Sequence, residues 1–128
     1  MADAVASQTL HDGRRHAVMK FTNVSDGTGE SAVLKVDVSA LAGAPTSVAI
    51  QRIEFSTSGM GVDVLWDATT DVVAQTLPQD VTDCLDFSCI GGLQNNAGAG
   101  KTGDVLLTTV GHTAGDRYTV TLHMTKKY

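Results

Sequence analysis

Four histidines, two cysteines and twelve aspartates are the side chains of this 128-residue sequence best suited to proton transfer, nucleophilic attack or metal binding. His112, in Gly111-His112-Thr113-Ala114-Gly115, and His123, on the polar side of an alternating run, are the best placed for acid–base work. No nucleophile and orienting acid stand around either one in a recognisable pattern, so both read as ordinary histidines. Asp26-Gly27-Thr28-Gly29-Glu30 and the series Asp63, Asp67, Asp71 offer oxygen ligands to calcium. Neither has the spacing of an EF-hand loop, and aspartate is a common turn former because its carboxylate bonds nearby backbone N–H groups. Gly98-Ala99-Gly100-Lys101-Thr102-Gly103 resembles a phosphate loop only in part. The position that needs the first glycine is Asn95, and the residues after Lys101 predict a strand where the phosphate loop needs a helix. No cofactor and no metal site are expected, and the chain is not expected to be an enzyme.

Cys84 and Cys89 lie five positions apart. In extended chain that separation is roughly 16 Å, well beyond the ~7 Å between α-carbons that a disulfide tolerates. Alternation puts Cys89 with Leu85 and Phe87, as a small buried hydrophobe, and Cys84 on the other face. None of the histidines is close enough in sequence to complete a zinc site. Reduced thiols are the expectation.

Those groups must be held by elements that the composition already constrains. There are 16 Thr, 15 Val and 13 Gly, but only 2 Glu among the 14 acidic residues. β-Branched and turn-forming residues dominate and good helix formers are scarce, which excludes helical bundles and doubly wound α/β enzymes. The formal charge is −5, and the nine basic residues are scattered apart from Arg14-Arg15 and Lys126-Lys127, which read as solvated basic ends of an acidic domain. Nucleic acid is therefore not an expected partner. No apolar run reaches the ~20 residues of a membrane helix. The amino terminus has neither the basic start nor the apolar core of a secretion signal. Asn23-Val24-Ser25 accordingly reads as a chance match to a glycosylation acceptor.

Period-two alternation is the strongest signal along the chain. Tyr118, Val120, Leu122 and Met124 alternate with polar residues, and Met60, Val62, Val64 and Trp66 form another inward set. Leu34, Val36 and Val38 are expected to point in, with Lys35 and Asp37 out. Between Val48-Ile50 and Ile53-Phe55 the parity changes, which predicts a β-bulge near Gln51-Arg52. Further strands are expected at 5–10, 16–24, 71–77, 81–88 and 104–110, the last apolar on both faces as in a central strand. A short helical turn fits only around 39–41. Residues 91–100 are the longest irregular stretch and mobile by composition, a candidate contact loop. The expected fold is all-β: a two-sheet antiparallel sandwich, jelly-roll-like, of about nine strands. An immunoglobulin-like sandwich is the alternative. Residues 1–128 form one domain in this reading, with 1–10 as an N-terminal arm or edge strand.

Four segments also carry a resemblance. Val24–Glu30, Lys35–Leu41, Val64–Thr70 and Gly103–Thr113 are similar to those of a family of small virion structural proteins of tailed bacteriophages, over about 10–128. The resemblance implies a capsid decoration, or cement, protein on the outside of the shell. The implied partners are the major capsid protein and the chain itself, as a dimer or trimer, with synthesis in the host cytoplasm and no membrane or nucleic-acid partner. Contacts are then expected at Val5, Leu10, Arg14 and Arg15 near the amino terminus and at Leu93, Asn95, Asn96 and Lys101 in and beside the glycine-rich loop. The alternatives are a small glycan- or host-surface-binding sandwich and a head-completion or tail component. Few aromatics are free to form a glycan platform, since most of the six sit at expected core positions.

Overall fold

Strands form wherever β-branched and aromatic residues alternate with polar ones, and they stop at glycine, proline or aspartate. In the computed structural model, which describes residues 4–27, 30–111 and 113–127, nine strands result. They are β1 (Ala4–Asp12), β2 (His16–Val24), β3 (Val33–Val36), β4 (Ser47–Ser58), β5 (Gly61–Trp66), β6 (Val72–Leu77), β7 (Thr82–Asp86), β8 (Val105–Val110) and β9 (Arg117–Lys127). Two 3-10 turns, Val38–Ala40 and Ser88–Ile90, are the only helical pieces among the described residues. His112, Thr28, Gly29 and the first three residues, all invoked above, lie outside the described residues.

All the strand pairs are antiparallel and build two sheets, β1-β2-β9-β4-β7 and β3-β8-β5-β6. With β1 set aside, the other eight strands pair from the outside inward: β2 with β9, β3 with β8, β4 with β7 and β5 with β6. That is a long hairpin wrapped into two sheets, the jelly-roll arrangement. Between the sheets lie Phe21, Ile50, Ile53, Trp66, Leu77, Leu107, Tyr118 and Leu122, all essentially inaccessible to water. The inward sets of β5 and β9 are those expected from alternation, and β8 occupies the centre of its sheet. The β4 bulge also falls where expected. Ile50 pairs with Met124 and Arg52 with His123, leaving Gln51 as the extra residue.

Three expectations are corrected. In β3 the register slips between Leu34 and Val36, which face Leu106 and Val105. This bulge turns Lys35 inward and leaves Leu34 49% exposed, the reverse of simple alternation. Cys89 is exposed rather than buried, because β7 ends at Asp86 and the chain turns through Ser88–Ile90. Both cysteines are free thiols. Lys126, expected on a solvated basic end, continues the inward series of β9 and is buried.

Candidate assembly surface

β1 is the most unusual element. Its sequence, Ala4-Val5-Ala6-Ser7-Gln8-Thr9-Leu10-His11-Asp12, has the β character to pair along the whole length of β2. Yet every residue from Val5 to Asp12 is exposed. In an antiparallel pair, facing residues share a face, so Val5, Ser7 and Thr9 lie on the core side with Asn23, Phe21 and Met19. Their exposure shows that, among the described residues, no strand of the opposite sheet covers them. β1 thus overhangs the sandwich, paired along one edge and open along the other. Val5 and Leu10, 50% and 55% exposed, are its apolar points. Leu10 sits in a register shift between Thr9 and His11, the kind of bulge that bends an edge strand.

The overhang is anchored at one end. Lys126, whose side chain has no exposed surface, donates to the Asp12 carboxylate and, at 2.5 and 2.8 Å, to the carbonyls of Gly13 and Ala42. Asp12 in turn accepts from the Ala42 N–H at 3.0 Å. The ammonium and the backbone donor hold its carboxyl below the ordinary value of 3.8. The hairpin to β2 closes with the Gly13 N–H on the His16 carbonyl at 2.9 Å, putting exposed Arg14 and Arg15 at its tip.

The fold also unites the two basic pairs of the sequence. The Lys126 N–H donates to the Arg15 carbonyl at 2.6 Å, and the Thr46 N–H to the Lys127 carbonyl at 2.8 Å. Thr46 and Ser47 line a shallow depression with Asn95, Lys101 and Thr102. Arg14, Arg15, Lys101 and Lys127 therefore gather at one end of a sandwich whose net charge is negative. This grouping has no counterpart in the linear spacing, because the four come from three distant segments.

Of the expected contact residues, Val5, Leu10, Arg14 and Arg15 share the β1–β2 hairpin, and Asn96 and Lys101 are exposed in or beside the glycine-rich loop. Leu93 and Asn95 are half-buried and also bond within their own domain. Leu93 bridges Ile50 through two backbone hydrogen bonds of 2.7 and 3.0 Å and packs on the core. The Asn95 side-chain Oδ1 accepts from the Ala97 N–H at 3.1 Å. The loop was expected to be mobile; in the fold it is tied to β4 through Leu93 and to Thr69 through Ala99.

The acidic turns do local work. Asp71 accepts from the Ala68 N–H at 3.1 Å, and Asp67 from the Thr102 hydroxyl at 2.8 Å. Among the described residues, no group of three or more His, Cys, Asp or Glu side chains is arranged to hold a metal ion. His123 lies on the outer face of the five-stranded sheet, where its Nε2 is 3.1 Å from Glu54 Oε1. Arg52 Nη2 donates to the same oxygen at 2.7 Å, and Arg52 Nε reaches Cys84 Sγ at 3.1 Å. Exposed pairs of this kind contribute little to stability. They border a cavity of about 350 Å³, lined by His16, Gln51, Arg52, Asp86, Ser88 and His123 with no Phe, Tyr or Trp ring in its lining.

No known protein family matches the chain, and no curated protein matches it. Solved structures that are distantly similar include the following two. A cupin superfamily protein from Desulfitobacterium hafniense DCB-2 is 12% identical, with all of this chain aligned to 82% of that one at a TM-score of 0.37. Peruvianin-I, a cysteine peptidase from Thevetia peruviana latex, is 6% identical, with 97% of this chain aligned to 63% of that one at a TM-score of 0.36.

Proposed function

We propose that this chain is a bacteriophage virion structural protein that decorates the outside of the capsid and cements it. The observation that carries the reading is β1, a nine-residue strand at the sheet edge, paired with β2 alone among the described strands and exposed on both faces from Val5 to His11. A long open edge is a template for pairing with another chain, and soluble domains usually shorten or cover it. A partner strand added along β1 would gain main-chain hydrogen bonds, with Val5 and Leu10 as apolar anchors. The neighbouring basic end would steer the domain to an acidic surface and fix its orientation. The partner in this reading is the major capsid protein, reached by copies of the chain acting as a dimer or trimer. A ligand that binds only the assembled shell stabilises it by mass action, so cementing needs no catalytic group.

The test uses purified shells lacking the protein. Addition of the chain is expected to give saturable binding and a higher shell melting temperature. Shells that neither bind it nor gain thermal stability would overturn the proposal.

A further inference from the structure

Four polar side chains meet inside the sandwich where β2, β3 and β9 come together. Glu30, in the β2–β3 connection, and Lys35, in the β3 bulge, have side chains only 5% and 4% exposed. Lys35 Nζ lies 2.6 Å from Glu30 Oε2. The Asn23 amide donates through Nδ2 to Glu30 Oε1 at 2.8 Å, and the Tyr118 hydroxyl donates to that same oxygen. The Glu30 backbone is fixed as well: its N–H donates to Thr109 Oγ1 at 2.8 Å, and its carbonyl accepts from the Thr109 N–H at 3.0 Å.

A buried ion pair does little for net stability, because desolvation offsets most of the attraction. Three features of this one instead match a condensation reaction. The amine is a nucleophile and the side-chain amide carries an electrophilic carbon. One carboxylate touches both the nitrogen that must lose protons and the nitrogen that must gain them. All of this is shielded from water, where such a carboxylate acts most strongly on charge. The β3 bulge supplies the geometry, since without it Lys35 would face solvent.

We propose that Lys35 and Asn23 join in an intramolecular isopeptide bond, with Glu30 as the catalytic residue that carries protons. Glu30 Oε2 takes a proton from the Lys35 ammonium. The freed electron pair on Nζ attacks Asn23 Cγ, forming the Nζ–Cγ bond and moving the carbonyl π electrons onto Oδ1. Glu30 delivers its proton through Oε1 to Nδ2 and accepts a second proton from Nζ. The carbonyl re-forms, the Cγ–Nδ2 bond breaks, and its electron pair leaves with the nitrogen as ammonia. The remaining proton departs with it as ammonium, and Glu30 is again a carboxylate. No oxidant, reductant or water is consumed. Holding both nitrogens on one carboxylate supplies the proximity that makes so slow a condensation feasible. The product ties β2 in one sheet covalently to β3 in the other.

The experiment is mass spectrometry of the purified, folded full chain. The expected intact mass is that of the sequence less one ammonia. After denaturation and trypsin, cleavage following Lys35 is lost, and no backbone fragments arise from breaks between 23 and 35. A full sequence mass with normal cleavage after Lys35 would overturn the proposal, and this reading needs no variant to fold. Folded Asn23→Ala and Glu30→Gln proteins are expected to keep the full mass of their sequences. A folded Glu30→Gln protein that still loses ammonia at this site would overturn the role given to Glu30.

Discussion

Lys126 at the end of β9 and Asp12 at the end of β1 form an ion pair whose ammonium is wholly buried and whose carboxylate is one-quarter exposed. The pair locks the foot of an otherwise uncovered strand to the centre of its sheet, and the Ala42 carbonyl and N–H complete the clasp. Substituting Lys126→Ala leaves Asp12 and two carbonyls without their donor. The expected cost is about 3 kcal/mol, the lower end for a broken buried pair because water reaches Asp12. Urea denaturation of the two proteins measures it.

The same pair sets an acid dependence. Lys126 first, and then the Ala42 N–H, lower the Asp12 pKa below 3.8. A carboxyl with a depressed folded value contributes its full stability above the unfolded value and loses it as pH falls through the folded one. The stability difference between the unaltered protein and Asp12→Asn is therefore expected to be constant above about pH 5 and to shrink below about pH 4. A pH series of urea midpoints checks this, and a difference that grows on acidification would contradict it.

The β3 bulge makes a sharp contrast between neighbours. Leu34→Ala is expected to change stability by no more than about 0.5 kcal/mol, as for an exposed site. Val36→Ala, at a position with no accessible surface, should cost about 2 kcal/mol. Equal costs at the two sites would mean that alternation through β3 is unbroken.

Within the segment that imitates a phosphate loop, two glycines have opposite expectations. Gly103 has φ +89°, and a Cβ there would stand 2.0 Å from the Thr46 carbonyl oxygen, so backbone must move. Gly103→Ala should destabilise by about 2 kcal/mol or more. Gly98 has an ordinary φ and open space around it, so Gly98→Ala should be neutral or stabilising by up to about 1 kcal/mol. Thermal unfolding of both variants decides the point.

If β1 is the assembly strand, its apolar points matter to the shell and not to the fold. The double variant Val5→Lys with Leu10→Glu is expected to keep its own melting temperature within a few degrees. Its affinity for shells should fall by about tenfold or more, the loss of at least ~1.4 kcal/mol of interface energy. Unchanged affinity would remove β1 from the interface.

Cys84 and Cys89 should both react with a maleimide in the native protein, without prior unfolding. Exposure governs thiol access, and both side chains are exposed. Labelling of Cys84 alone would restore the buried Cys89 suggested by alternation.

That last contrast marks where local pattern stops. The inward faces of β4, β5 and β9, and the bulge at Gln51, are written in residue type, because a buried face selects apolar side chains at every second position. The all-β architecture follows from the same alternation together with Gly, Asp and Pro at the turns. The glutamate–lysine–asparagine–tyrosine cluster is different. Its members are Asn23, Glu30, Lys35 and Tyr118, and only the wrapping of β2, β3 and β9 brings the tyrosine to the other three. The charge of Lys35 argued for solvent, and one extra residue in β3 turned it inward. Lys126 likewise sits where alternation calls for an apolar side chain, and it is tolerated there because three acceptors converge on it. The exposure of β1 is a tertiary decision as well. Alternation assigns side chains to two faces of a strand, but whether a face is covered depends on how many strands the opposite sheet sets against it.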